Sequence, residues 1–260
     1  MVIVDSHIHF GIGNPVMVFD ETAEGYLTQS DFTGCTYMVQ SFMEMLDKRP
    51  CLDNIDERCQ ELYEQSGKRV FSLLVFNPNY AKECLEIIEE CHDRPYIVGI
   101  KLHPSDHSVW ADDEAYRSVW ELADKYHLPI MSHSWALTSN PKQKYATPER
   151  FEKYIREYPN VKFIFGHSGG RVPGIKTVAE LGAKYPNVHF DIAGDVYNRK
   201  LIEYLTKKAG VDRLLLASDM GWFDLSFSIG MVLGSDLTLE EKEMVLGGNA
   251  VRVFGLEELI

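Results

Sequence analysis

Eight short apolar runs, rich in β-branched and aromatic residues, alternate with amphipathic segments almost to the end of this 260-residue chain. That alternation restricts the fold more than any other feature. The runs are 2–9, 36–41, 70–76, 97–103, 128–133, 162–167, 187–192 and 213–218, each with the length and composition of a strand. The intervening segments run from Asp53 to Ser66, Tyr80 to Cys91, Asp112 to Tyr126, Thr147 to Tyr158, Val172 to Tyr185 and Lys200 to Ala209. Their apolar residues recur at helical spacing; Cys84, Leu85, Ile88 and Cys91 share one face. Breakers mark the boundaries at Asn77-Pro78-Asn79, Tyr158-Pro159-Asn160 and Tyr185-Pro186-Asn187. Strand–helix alternation implies a parallel sheet, and eight strands predict closure into a (β/α)8 TIM barrel, one α/β domain spanning 1–260. An open dinucleotide-binding sheet is disfavoured, because no GxGxxG follows the first run. The boundaries are least defined between Gly11 and Cys51.

Composition narrows the function classes. The apolar runs are too short to span a bilayer, and the first residues lack the basic and apolar regions of a secretory signal, so a cytoplasmic location is expected. Five cysteines (Cys35, Cys51, Cys59, Cys84, Cys91) form no CxxC pair and are odd in number, which argues against a disulfide framework or a thiolate metal site. The formal charge of -13 repels phosphate backbones and anionic lipid. A small-molecule substrate, with no nucleic-acid or membrane partner, is the expectation.

Barrel enzymes gather their reactive groups at the C-terminal ends of the strands. The first run ends in His7 and His9, which point the same way two rises of about 3.3 Å apart and can converge on one ion. The fourth ends with Lys101 and His103, the fifth with His133, the sixth with His167 followed by Ser168-Gly169-Gly170-Arg171, and the eighth with Asp219. Singly, each of these reads as a packed histidine or a capping acid. Together they read as one metal centre.

These residues carry a family resemblance. An HxH pair after the first strand, a histidine after the fifth, a GHSGG stretch after the sixth and a Ser-Asp after the eighth resemble the amidohydrolase superfamily. Gly248-Asn249-Ala250 and the following Arg252, Phe254, Gly255 and Leu256 are similar to the closing element of its amidohydrolase-related branch, which includes aminocarboxymuconate semialdehyde decarboxylase and pyrone dicarboxylate lactonase. The resemblance runs from Val2 to Leu256 and implies a distorted amidohydrolase-type barrel. By the family pattern His7, His9, His133 and Asp219 bind a divalent metal, and His167 is the acid/base or electrostatic residue. Lys101 reads as a carbamylated bridge to a second metal, as a substrate-facing ammonium, or as a structural residue, with a single ion placed first.

Imidazoles plus one carboxylate suit zinc, and zinc lowers the pKa of a bound water to about 7. The expected reaction is therefore hydrolysis of an amide, ester or lactone, with Asp219 accepting a proton and His167 stabilising charge. Metal-dependent non-oxidative decarboxylation uses the same ligands and is the rival; a non-catalytic ligand-binding barrel is the third reading. His103, Arg171, Trp135 and Trp222 are expected to contact substrate, Arg171 through a substrate carboxylate. Asp195 and Tyr197 are weaker pocket candidates, and His92, His107, His127 and His189 are assigned no chemistry. The loop from Gly11 to Asp31 is expected to act as a specificity element or lid, and exposed barrel helices are compatible with a homodimer.

Overall fold

The computed structural model describes residues 1–11, 22–43, 54–138 and 140–259. Eight parallel strands, β1 (Val4–Phe10), β2 (Tyr37–Phe42), β3 (Val70–Val75), β4 (Ile97–Leu102), β5 (Ile130–His133), β6 (Phe163–Gly166), β7 (Val188–Asp191) and β8 (Leu214–Leu215), pair in sequence order. Each expected run overlaps one of them, with β1 and β2 running one residue past the expected ends at 9 and 41, and the result is a TIM barrel. Parallel strands buried on both faces read as near-continuous apolar runs, and Val70–Val75 and Ile97–Leu102 are buried at every position, Ser72 and Lys101 being their only polar residues.

The helices follow the expected segments. The helix Ala81–Cys91 buries Cys84, Ile87, Ile88 and Cys91, a single stripe at three- and four-residue spacing. Asn77 caps the preceding turn by accepting from the Asn79 N–H at 3.0 Å. The segment between Thr147 and Tyr158 opens on a 3₁₀ turn at Pro148–Phe151 and becomes α-helical only at Glu152–Glu157, because proline suits a first turn but supplies no N–H. The stretch expected to be loop as far as Asp31 is instead helical from Ala23 to Thr33, with Thr22 as its N-cap. Residues 12–21 of that expected lid, and Cys51, lie outside the described residues. The other four cysteines are free and buried.

The barrel closes between β1 and β8 in an irregular way. The Ser6 N–H donates to Leu216 O (3.0 Å) and the His9 N–H to Met220 O (2.9 Å), with a single bridge from Ile8 to Met220. The eighth strand is shorter than the expected 213–218 because its later groups find other partners. Leu216 N–H donates to Val245 O, and the Ser218 N–H and hydroxyl both reach the buried carboxylate of Asp5. The closing element has a structural task. Asn249 Nδ2 donates to Val211 O and Leu214 O, each at 2.8 Å, which ties the last helix to the base of β8.

Candidate active site

Alternation along β1 sends Asp5, His7 and His9 to one face. That face is the barrel interior, because His7 reaches Lys101 on β4 and Asp191 on β7, neither of which neighbours β1 in the sheet. At the C-terminal end of the strands His7, His9 and Lys101 line a cavity of about 200 Å³, together with Met43, His103, His133, Trp135, Gln143, His167, Gly194, Asp195, Asp219, Trp222 and Phe223. A larger groove of about 450 Å³ runs along residues 197–203 and the 225–233 helix and shares no lining residue with that cavity.

His7, His9 and Asp219 bring three ligand atoms within 4.8 Å of one another, all from buried residues. Nε2 of His9 stands 3.2 Å and Nε2 of His7 4.0 Å from Asp219 Oδ1. The remaining ring nitrogens are tied to the protein. Nδ1 of His7 lies 2.9 Å from Asp191 Oδ2, that of His9 3.1 Å from both oxygens of Ser41, and that of His167 3.0 Å from Ala193 O. A carboxylate and a carbonyl can only accept, so His7 and His167 donate through Nδ1 and keep a lone pair on Nε2. Outer hydrogen bonds of this kind orient metal-ligating imidazoles, and a nitrogen–nitrogen–oxygen set suits a divalent transition ion. The residues fit such an ion.

His133 stands outside that tight group but lines the same cavity, its ring 4.9 Å from that of His167. Gln143 Oε1 takes its Nε2–H at 3.0 Å and also accepts from Ser105 Oγ, leaving Nδ1 as the nitrogen available for ligation. His103 stacks on His133 with ring centres 4.2 Å apart.

Burial dominates the electrostatics. It pushes the His133 imidazole down to about 3 and the His7 and His103 imidazoles well below their ordinary value, so these rings are neutral at pH 7. Burial brings the Lys101 ammonium down to about 8. For Asp219 burial pulls upward, but the hydrogen bond from His9 and the neighbouring His167 and His7 outweigh it and hold the carboxyl well below its usual range. The site therefore sets the neutral rings of His7, His103 and His133 beside the anionic carboxylate of Asp219 and the Lys101 ammonium.

A strained turn carries His167. His167, Ser168, Gly169 and Gly170 have φ of 62°, 45°, 78° and 72°, the region that favours glycine. Glycine is needed here for space as well, since a Cβ on Gly170 would enter the Trp135 ring and one on Gly169 would lie 2.6 Å from Gly174 C. Asp219 also has a positive φ, 67°, fixed by its N–H donating to His7 O at 2.8 Å.

Trp135 and Trp222 line the cavity, and Phe223, unremarked in the sequence, adds a third aromatic ring. Arg171, expected to meet a substrate carboxylate, is not among the residues that line it. Its guanidinium is bound to Asp195 at 2.6 and 3.2 Å and lies over the Trp135 ring, 4.7 Å from its centre. Of the weaker candidates, Asp195 lines the cavity as the partner of Arg171, whereas Tyr197 is exposed against Phe227. His92, His107, His127 and His189 do not line it. Sequence reasoning missed Asp191, Asp5 and Gln143. Asp191 ends β7 as Asp219 follows β8, so the strand-end rule contained its signal, whereas Gln143 sits in a 3₁₀ segment with none.

Comparison with solved structures returns the same barrel. A 2,6-dihydroxybenzoate decarboxylase from Rhizobium is 16% identical, with a TM-score of 0.75 over 98% of this chain and 99% of that one. A 5-carboxyvanillate decarboxylase from Sphingomonas paucimobilis gives 13%, 0.77, 98% and 99%. A dihydroxybenzoic acid decarboxylase from Polaromonas sp. JS666, solved with manganese and the inhibitor 2-nitroresorcinol, gives 15%, 0.75, 98% and 97%. No curated protein sequence matches the chain. The model of the family described as amidohydrolase matches residues 4–256, and the chain belongs to that family.

Proposed function

We propose that the protein is a metal-dependent enzyme that releases carbon dioxide, without redox change, from a small aromatic or otherwise unsaturated carboxylic acid. The observation that carries this reading is the joining of a His7–His9–Asp219 ligand set and a buried Lys101 to walls made by Trp135, Trp222 and Phe223 in one cavity of about 200 Å³. That volume suits a single ring, and the aromatic walls suit a planar one. The likeness to three solved decarboxylases supports the same choice.

In this reading His7, His9, His133 and Asp219 hold one divalent ion, zinc or manganese. When bound, the ion supplies positive charge against substrate oxygens. Lys101 faces the substrate carboxylate, and His103 contacts the ring. His167, with Nδ1–H fixed on Ala193 O, keeps Nε2 free to hold a proton and deliver it to the carbon that loses carbon dioxide. The balance is a carboxylate plus one proton giving carbon dioxide and a new C–H bond. Asp219 serves as a ligand and helps settle the proton.

Hydrolysis of an amide, ester or lactone is the second reading, favoured by the description of the matching family. The expected order, with hydrolysis first because the chain is short, is reversed here, since the match extends over 97–99% of the decarboxylase chains. One experiment separates the two. The metal-loaded protein is incubated in D2O with hydroxylated benzoates and, separately, with aryl lactones and amides. Decarboxylation yields carbon dioxide and one C–D bond; release of acid with no deuterium on carbon would establish the hydrolase.

A further inference from the structure

We propose that Asp191 is a positioning residue that fixes the tautomer of His7 and, through the same carboxylate, holds His167 in its left-handed turn. The inference rests on the reading of His7 as a metal ligand. Asp191 ends β7 and is fully buried. Its two oxygens divide the work. Oδ2 faces Nδ1 of His7 at 2.9 Å, while Oδ1 accepts the N–H of His167 at 2.7 Å and of Ala193 at 3.0 Å. Ala193 in turn accepts Nδ1–H of His167 through its carbonyl, and the Ser168 hydroxyl donates to the carbonyl of Asp191. One side chain thereby orders two of the cavity's imidazoles, from β1 and from the turn after β6, and every link in that chain is buried.

A carboxylate is required because of the direction of the hydrogen bonds. With Oδ1 engaged by two N–H donors, Oδ2 is left as an acceptor, so His7 must carry its proton on Nδ1. Its Nε2 lone pair then faces the cavity, where Nζ of Lys101 lies 2.5 Å away. Asparagine has nearly the same shape but the opposite polarity at one end. Its oxygen is retained by the two backbone donors, since that orientation keeps two hydrogen bonds where the flipped one keeps one. Its NH2 then faces His7 and drives the imidazole proton to Nε2, the position a ligand must leave open.

The test uses the full chain, Asp191→Asn and zinc itself. In metal-free wild-type protein, two-bond 1H–15N spectra are expected to show His7 protonated at Nδ1; in D191N the proton is expected at Nε2. Zinc affinity, read by competition with a chromophoric chelator, is expected to fall about 10–100-fold in D191N, with the unfolding transition still cooperative. A D191N protein that keeps the Nδ1–H form and wild-type zinc affinity overturns the proposal. So does a wild-type protein with His7 protonated at Nε2, which decides the matter even if D191N does not fold. Wild-type protein that binds no zinc would instead defeat the ligand reading, and the wild-type spectrum would still decide the tautomer.

Discussion

Nζ of Lys101 lies 2.5 Å from Nε2 of His7, and both side chains are buried in the barrel where they line its cavity. Because Nδ1 of His7 is committed to Asp191, Nε2 is the acceptor and Lys101 the donor. The lone pair that Lys101 uses is the one a metal ion needs, so the two compete. Lys101→Met should therefore bind zinc more tightly than wild type. A hydrogen bond involving a charged group is worth ~1.5–3 kcal/mol, or about 10–100-fold in affinity. The same variant should lose turnover, since the ammonium facing the substrate is gone. Titration against a chelator reads the first effect; weaker binding would mean that Lys101 is itself a ligand, as a bridging carbamate would be.

Arg171 should matter little to substrate binding. It is about half exposed, bound to Asp195 and stacked on Trp135, and exposed pairs contribute ~0–1 kcal/mol. Arg171→Met is expected to change KM by less than about threefold, within that range. Steady-state kinetics on any accepted carboxylate substrate would settle this, and a rise in KM of two orders of magnitude would return Arg171 to the substrate.

Gly170→Ala should be severely destabilising. The new Cβ would enter the Trp135 ring at a backbone φ of 72°. Overpacking costs ~1–3 kcal/mol and the left-handed conformation a further ~1–2 kcal/mol. Urea unfolding should show a loss of about 3 kcal/mol, whereas a near-normal midpoint would mean that the turn and the indole can separate at little cost.

His189 gives the folded state an acid-sensitive term. Burial, reinforced by Arg213, brings its imidazole down from 6.5 to about 4. Between those values the unfolded chain binds a proton that the folded chain does not, so this contribution is complete above pH 6.5 and shrinks as pH falls toward 4. At pH 5 the loss is about 2 kcal/mol. His189→Gln should flatten that part of the profile, and denaturant midpoints at pH 7.5 and 5 compare the two proteins. Equal losses in both would place the titration elsewhere.

The barrel was legible in the sequence because its signals are local. A strand buried on both faces reads as a nearly unbroken apolar run, as Val70–Val75 does with Ser72 as its one polar residue, and a helix lying on it shows an apolar stripe; Cys84, Ile88 and Cys91 of the expected stripe are buried, with Ile87 in place of Leu85. The strand-end rule likewise located His7, His9, Lys101, His133, His167 and Asp219, all of which line one cavity.

Tertiary structure alone decided which groups those side chains meet. Arg171 and Asp195 are 24 residues apart in the chain and pair with one another, so an arginine that reads as a carboxylate ligand is found on a carboxylate of the protein itself and over the Trp135 ring. Asp191 meets His7 across 184 residues of chain and across the barrel interior. Asp5 meets Ser218 across 213 residues, where it replaces backbone pairing at the barrel seam, and burial raises its carboxyl to about 7. Periodicity records only which face a residue occupies. Desolvation and the direction of a hydrogen bond depend on what stands opposite, and closure of the eight strands sets that.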